Sequence, residues 1–413
     1  MLTNEQKIAH NYVIDWFKTN KNNVNTNSIT IGGYAGTGKT FLCSQISKTI
    51  KKEYPKISIA FVTFTGKASS ILKNRLIIEQ AIEKKDYIGT IHSLIYKPKY
   101  RYSHEMKKVI FYGWEKINKL EIMCDLIIID EASMVSLDIW NDLSSYKIPI
   151  IVIGDHGQLP PIGDKSFNLM TNLDFQLKEI HRQAENSPIL ALSKFIRKYG
   201  YIPYGIHSKI SNDSFKIKWT DPACQKIWNN IDFLENNIIC LCGFNQTRVN
   251  VNNMIRNKLK FKKTKVPYPT ERLICLKNNK ETKVMNGQLG TLIWLIPYSK
   301  NVDKMTIELD GFSNDYYEGD VNNCCFGEVS YDSIYGLKNK KESKELRKMG
   351  IEQLDYFDFG YCISVHKSQG SEFNKVILFE QRTKHWDDEY YTKWLYTAVT
   401  RASEKLMIIS GFY

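Results

Sequence analysis

Gly33-Tyr34-Ala35-Gly36-Thr37-Gly38-Lys39-Thr40 follows a β-branched run, Ser28 to Gly32, and leads into a stretch with apolar residues at Leu42, Ile46 and Ile50. The spacing G-x-x-x-x-G-K-[ST] after a strand and before a helix is the setting of a phosphate-binding loop. Glycines there let backbone N–H groups wrap phosphates at the positive end of a helix. Lys39 supplies a point charge to the β- and γ-phosphate oxygens of ATP, and the Thr40 hydroxyl is a ligand for Mg²⁺. All eight residues, Gly33 to Thr40, are therefore candidate ATP contacts.

Working outward, Ile57 to Val62, Leu126 to Ile129 and Ile148 to Ile153 are further short apolar runs, with helical patterns between some of them. That alternation predicts an α/β fold, a parallel sheet covered by helices on both faces. A second set, Ile238 to Leu241, Val376 to Phe379 and Leu406 to Ile409, follows a mostly polar, helix-compatible stretch from about 183 to 237. Two α/β units are expected, 1–175 and 176–413. Two segments look inserted. Residues 87–115 are rich in aromatic and basic side chains and read in part as a protruding β-hairpin. Residues 290 to about 350 alternate, turn at Asp310-Gly311 and end in a Lys/Glu-rich helix over Lys338 to Lys348, which suggests a small antiparallel barrel.

The 413 residues hold 57 Lys and Arg against 44 Asp and Glu, a net charge of +13, and the pI is about 9.1. Such a surface attracts polyanions, so nucleic acid is the expected partner. The nine Cys are scattered and never spaced C-x-x-C, which argues against a zinc ribbon or disulfide framework and for reduced thiols in a cytoplasmic protein. No secretion signal is visible, and no apolar run approaches the ~18 residues of a membrane helix.

Asp130-Glu131 ends the run Leu126 to Ile129, where a nucleotide site in an open parallel sheet is expected. Asp130 is assigned to the metal and Glu131 to the general base for the attacking water. Gly154-Asp155-His156-Gly157-Gln158-Leu159-Pro160-Pro161 closes the next strand, and Gln158 is the candidate γ-phosphate sensor. Downstream, Trp394 to Ser403 reads as a helix with Leu395, Ala398, Val399 and Ala402 on one face and Thr397, Thr400, Arg401 and Glu404 on the other. Arg401 is a candidate arginine finger, and Arg182 is a second. His366-Lys367-Ser368-Gln369-Gly370-Ser371-Glu372-Phe373 is a polar, glycine-containing loop suited to close approach by phosphate or sugar.

Taken in order, these residues resemble superfamily 1 helicases of the RecD-like branch, which includes the phage Dda helicases. Gln6 matches the Q motif, which in the family contacts adenine. Thr63 to Ala68 matches motif Ia, Gly89 to His92 motif Ib, Asp130 to Ser133 motif II, Gly154 to Pro161 motif III, Arg182 motif IV, Val365 to Phe373 motif V and Tyr396 to Ala402 motif VI. The resemblance implies two RecA-like P-loop domains, a β-hairpin pin in the first and an SH3-like barrel in the second. It also implies ATP with Mg²⁺ between the domains, single-stranded DNA across their tops, and 5′-to-3′ movement with unwinding of forked duplex.

By the same resemblance Gly370 and Glu372 join the ATP site. Phe64, Thr65, Lys67, Thr90, His92, Ser364, His366 and Lys367 contact DNA. Phe64 stands where the family commonly has Pro, and as an aromatic it can stack on a base or pack inside. Tyr100, Tyr102, Phe111, Tyr112 and Trp114 are the candidate strand-separating side chains of the pin, with packing inside the hairpin as the plainer reading. A monomer working with single-strand-binding or replisome proteins, in host cytoplasm if phage-encoded, is the family expectation. The rival readings are a translocase that strips proteins or acts on RNA, and a non-catalytic, nucleotide-gated nucleic-acid binding module.

Overall fold

Ile, Val and Leu with no exposed surface make up the strands around the phosphate loop, as in sheets covered on both faces. The computed structural model describes residues 2–21, 28–103, 108–161, 167–180, 187–206, 214–234, 238–261, 264–279, 282, 284–297, 301–310, 316–331 and 354–412, and for 100–103 and 108–112 the backbone alone. The chain forms two compact units, Met1–Asn186 and Ser187–Tyr413.

The first unit contains β1 (Ser28–Gly33), β2 (Ile59–Thr63), β3 (Tyr87–Thr90), β4 (Tyr96–Ser103), β5 (Lys108–Lys116), β6 (Leu126–Ile129), β7 (Ile150–Gly154) and β8 (Phe175–Leu177). Its helices are α1 (Asn4–Asn20), α2 (Lys39–Glu53), α3 (Gly66–Ile78), α4 (Ile91–Ile95) and α5 (Leu137–Ser144). Six strands make one parallel sheet in the order β3-β2-β6-β7-β1-β8. Side chains alternate between its faces. Ile31, Phe61, Ile128 and Ile151 pack against Val13, Leu42, Ile46 and Leu72 of α1, α2 and α3, while Val62, Ile127, Ile129 and Val152 pack against Leu94, Ile95 and Leu143 on the other side.

One polar cluster stands inside this apolar frame. Lys51 donates to the Ala81 carbonyl at 2.8 Å and pairs with Asp86, whose carboxylate also accepts from Ile59 N at 3.0 Å and Glu83 N at 2.7 Å. Asp86 has no exposed side-chain surface. Asp86→Ala strands a buried ammonium and two N–H groups, and chemical denaturation is expected to show a loss of about 3–5 kcal/mol. A loss below about 1 kcal/mol would mean that water reaches the cluster.

The second unit contains β9 (Gly205–Ile206), β10 (Ser214–Lys218), β11 (Ile238–Cys242), β12 (Arg272–Cys275), β13 (Leu289–Pro297), β14 (Val302–Leu309), β15 (Tyr316–Asn322), β16 (Asp355–Phe359), β17 (Cys362–Ser364), β18 (Phe373–Phe379) and β19 (Ala402–Ser410). Its helices are α6 (Pro188–Tyr199), α7 (Pro222–Asn230), α8 (Asn245–Lys258), α9 (Val365–Ser368) and α10 (Asp388–Val399). A second six-stranded sheet runs β17-β11-β18-β19-β10-β9, and β12 to β16 close a barrel around Leu273, Leu292, Ile307, Tyr317 and Phe357.

Several sequence expectations change. The parallel sheet extends through β8, because Phe175–Leu177 pairs with Ile31–Gly33, so the first unit runs past 175. Tyr87–Thr90 belongs to that sheet too, and the hairpin is Tyr96–Lys116 with a register shift between Lys99 and Tyr100. The stretch 183–237 holds β10, drawn into the sheet by parallel pairing with β19. The barrel begins at Arg272, ahead of 290, and closes through a parallel β15–β16 pair after a long connection. The expected helix over Lys338 to Lys348 lies outside the described residues. The nine Cys stand outside disulfides, and among the described residues no helix is long and apolar enough to cross a membrane.

Candidate nucleotide site and nucleic-acid interface

β1 delivers the chain to Gly33, and the turn to α2 then passes through left-handed Gly36 (φ 83°) and Gly38 (φ 74°). A Cβ on Gly33 would lie 2.6 Å from Thr37 Oγ1, so the loop closes only around glycine. Gly38 is the N-cap residue of α2 and gives no side-chain cap, leaving the first N–H groups of the helix to an anion. Lys39 Nζ donates to the Tyr34 carbonyl at 3.1 Å and stands 3.9 Å from the fully buried Asp155 carboxylate. Gln6 is tied to the same loop. Its amide donates to the Thr37 carbonyl at 2.9 Å, while its Oε1 accepts from Thr3 N in the capping box of α1.

Asp130, at the end of β6, is buried. Its Oδ2 accepts the Thr40 hydroxyl at 3.0 Å and its Oδ1 accepts Glu131 N at 2.9 Å. Neighbouring oxygens around octahedral Mg²⁺ lie about 2.9 Å apart, so Thr40 and Asp130 fit two adjacent positions of a magnesium shell. Burial pushes the Asp130 pKa up; Lys39, the Glu131 N–H and the Thr40 hydroxyl oppose it. A bound cation would favour the carboxylate further.

Glu131 is left-handed at φ 55°, a conformation costing about 1–3 kcal/mol in a non-glycine residue. The turn ends β6 abruptly and starts the short helical turn Ala132–Met134. Next to it, a Cβ on Gly154 would meet Met170 Sδ at 2.7 Å and Ala132 N at 3.1 Å, so this glycine lets the ends of β6 and β7 approach. Gln158 follows in the same loop, 3% exposed, and its Oε1 has no hydrogen-bond partner among the described residues. A buried amide oxygen with an open acceptor position is suited to a water or hydroxyl donor.

The residues expected at DNA share one local design. Thr65, Thr90 and Ser364 each follow or end a strand and cap the helix after it, accepting from Ala68 N at 3.2 Å, Ser93 N at 3.1 Å and Lys367 N at 3.3 Å. Lys67, His92, His366 and Lys367 stand in the first turns so fixed. His366 Nε2 meets the Tyr390 hydroxyl at 2.9 Å, and burial lowers its pKa, favouring neutral imidazole. Lys367 is also depressed, to about 8, by burial and by Arg248. Its ammonium stands 5.7 Å from the Tyr331 ring centroid, beside the Arg248–Asp358 ion pair. Phe64 is half-buried.

Gly370 is left-handed at φ 69° and Glu372 is exposed. The expected helix Trp394 to Ser403 stops at Val399, because Ala402 already enters β19 beside β18. Thr397 and Arg401 are buried. Arg401 donates Nε to the Thr397 carbonyl at 3.0 Å, one terminal nitrogen to the Ser371 carbonyl at 2.9 Å and the other to Thr400 Oγ1 at 3.2 Å. Arg182 lies outside the described residues.

In the hairpin, Tyr100 pairs with Phe111 and Tyr102 with Val109; side chains at 100–112, Tyr112 included, lie outside the described set. Trp114 is 44% exposed, is paired with Pro98 near the base, and touches the His92 ring edge-on at 4.4 Å. Sequence reasoning passed over Asp155, beside Lys39, and Glu5, whose carboxylate accepts Lys178 N at 2.8 Å and Glu179 N at 2.7 Å. Asp155 lies inside the motif Gly154 to Pro161 and could have been singled out there; nothing in the sequence marks Glu5.

A family model described as an AAA domain matches residues 18–164, and one described as UvrD-like helicase C-terminal domain matches 359–409. The RecBCD enzyme subunit RecD of Buchnera aphidicola is 27% identical over 93% of this chain and 70% of its own length. The ATP-dependent DNA helicase Pif1 of Campylobacter jejuni is 23% identical over 91% of this chain and 87% of its own. Among solved structures, Pif1 helicase from Candida albicans aligns at 18% identity and a TM-score of 0.53, covering 100% of this chain and 95% of that one. Two RecA-like units, a phosphate loop facing an Asp-Glu strand end, an inserted hairpin and an inserted barrel make the chain similar to the superfamily 1 DNA helicases of the RecD and Pif1 type.

Proposed function

We propose that this DNA helicase moves 5′-to-3′ on single-stranded DNA and opens forked duplex with the Tyr96–Lys116 hairpin, in replication, recombination or repair. The observation that carries the chemistry is the set Lys39, Thr40, Asp130, Glu131 and Gln158 at adjoining strand ends of one sheet. Lys39 and the loop N–H groups hold the phosphates, Thr40 and Asp130 would hold Mg²⁺, which would supply charge neutralisation at the transferred phosphoryl group, Glu131 takes the proton of the attacking water, and Gln158 senses the γ-phosphate. Arg401 and Arg182 are assigned to the charge that develops on the γ-phosphate.

DNA binding is assigned to Phe64, Thr65, Lys67, Thr90, His92, Ser364, His366 and Lys367, mostly to the backbone and so without sequence preference. Polarity rests on the likeness to RecD and Pif1, and the duplex-opening role draws support from the solved Pif1 helicases, two of which coordinate to unwind DNA at a fork.

Strand displacement on duplexes with a 5′ or a 3′ single-stranded tail tests the reading. Unwinding of the 5′-tailed substrate alone, with ATP and Mg²⁺, is expected. Opening of the 3′-tailed substrate alone reverses the polarity, and DNA-stimulated hydrolysis without opening of either favours a translocase. An RNA-tailed substrate unwound as well as the DNA one would move the substrate class.

A further inference from the structure

The hairpin is bolted to the domain at its base by one carboxylate. Tyr96 and Lys116 are the outermost register pair, one from each strand. Both reach Asp142 on α5. The Tyr96 hydroxyl donates to Oδ2, and Lys116 Nζ to Oδ1 at 3.0 Å and to Ser145 Oγ at 2.6 Å. One turn further on, the Tyr146 hydroxyl donates to the Ile117 carbonyl at 2.6 Å and the Ile95 carbonyl at 3.3 Å, the residues just outside the hairpin on either side. The Tyr96 ring also stands 4.6 Å from His92, which meets Trp114 of the other strand.

An isolated two-stranded hairpin is marginally stable and bends easily. A wedge that bends yields to the duplex instead of opening it. Fixing both strands to one anion on a buttressed helix removes the hinge where hairpin and domain join. The hydrogen bond from Tyr96, then Lys116, holds the Asp142 carboxyl below its usual range, while burial and Asp142 push Tyr96 above its own. The pair is therefore a carboxylate and a neutral phenol throughout the working pH range.

We propose that Asp142 is a positioning residue for strand separation: by holding Tyr96 and Lys116 together it stiffens the hairpin and couples stepping along DNA to duplex opening. The inference rests on the hairpin being the separating element. Asp142 is partly exposed and distant in role from the phosphate loop, so its replacement leaves single-strand translocation and ATP turnover in place.

The test compares Asp142→Ala, Asp142→Glu, Tyr96→Phe and a chain whose hairpin strands are shortened to a tight turn, each measured for ATP turnover on single-stranded DNA and for unwinding of 5′-tailed duplexes of low and high G·C content. Asp142→Ala is expected to unwind roughly 5-fold more slowly, the size of a lost charge-assisted contact. Turnover should stay within twofold, the defect should grow with G·C content, and Asp142→Glu should recover part of the rate. An unwinding loss matched by an equal loss of turnover, or one independent of duplex stability, overturns the anchor, as does normal unwinding by both Asp142→Ala and Tyr96→Phe. If the shortened chain unwinds normally, the hairpin is not the separating element and its proposed role falls together with the anchor, while 5′-to-3′ unwinding stands; if only that chain fails, the anchor alone is wrong.

Discussion

Glu131→Gln is expected to lower ATP turnover on single-stranded DNA by about a thousandfold and to leave nucleotide affinity within a few-fold of the parent. The substitution keeps the size of the side chain and removes its basicity. It also keeps the backbone N–H that Asp130 Oδ1 accepts at 2.9 Å, so the Asp130–Thr40 pair at 3.0 Å stays in place. The proposed assignment gives binding and chemistry to different neighbours. Lys39 and the glycine loop, assigned to the phosphates, join β1 to α2, whereas Glu131 stands on a separate strand end in a left-handed turn. A conformation that costs energy is retained where the surroundings over-determine it, and Ala132 N against Gly154 is one such constraint. Fluorescent-nucleotide binding beside single-turnover hydrolysis separates the two effects. Loss of binding together with turnover, or a fall of less than tenfold, would sink the assignment of Glu131 as base.

Much of this was legible from residues close together in the chain. The loop Gly33–Thr40 announces itself because backbone geometry demands glycine at fixed spacing, and Leu126–Ile129 because a strand buried on both faces has no polar positions. What could not be read were contacts created by the fold. Phe175–Leu177 and Cys362–Ser364 are three-residue strands, too short for a period and recognisable only by the partners they find. Asp142 lies 46 residues from Tyr96, and nothing local distinguishes it from any other acidic residue on a helix. Helical periodicity misled at Trp394 to Ser403 because apolar residues of a helix and of the following buried strand run together. Thr397, expected on a polar face, is wholly buried with its carbonyl serving Arg401.

That contact bears on the second large effect. Arg401→Lys is expected to reduce DNA-stimulated turnover by about 10³-fold, the scale of an arginine finger, with nucleotide binding retained. Arg401 is 5% exposed, and its guanidinium braces Ser371 and Thr397 of its own unit, so a purely structural role must be separated from a catalytic one. A guanidinium carries two hydrogens on each terminal nitrogen. Among the described residues, each of these nitrogens spends one, on the Ser371 carbonyl and on Thr400 Oγ1. The remaining two can meet a phosphate oxygen while the brace is kept. Lysine cannot do both, since its single ammonium is a point charge without the planar fork. Arg401→Ala removes brace and charge together and is expected to lower the melting temperature as well as turnover, whereas Arg401→Lys keeps a cation near the Ser371 carbonyl and should melt closer to the parent. Equal melting losses in both variants, with turnover falling in proportion, would leave Arg401 as a brace. Normal turnover in Arg401→Lys would assign the transition-state charge to Arg182.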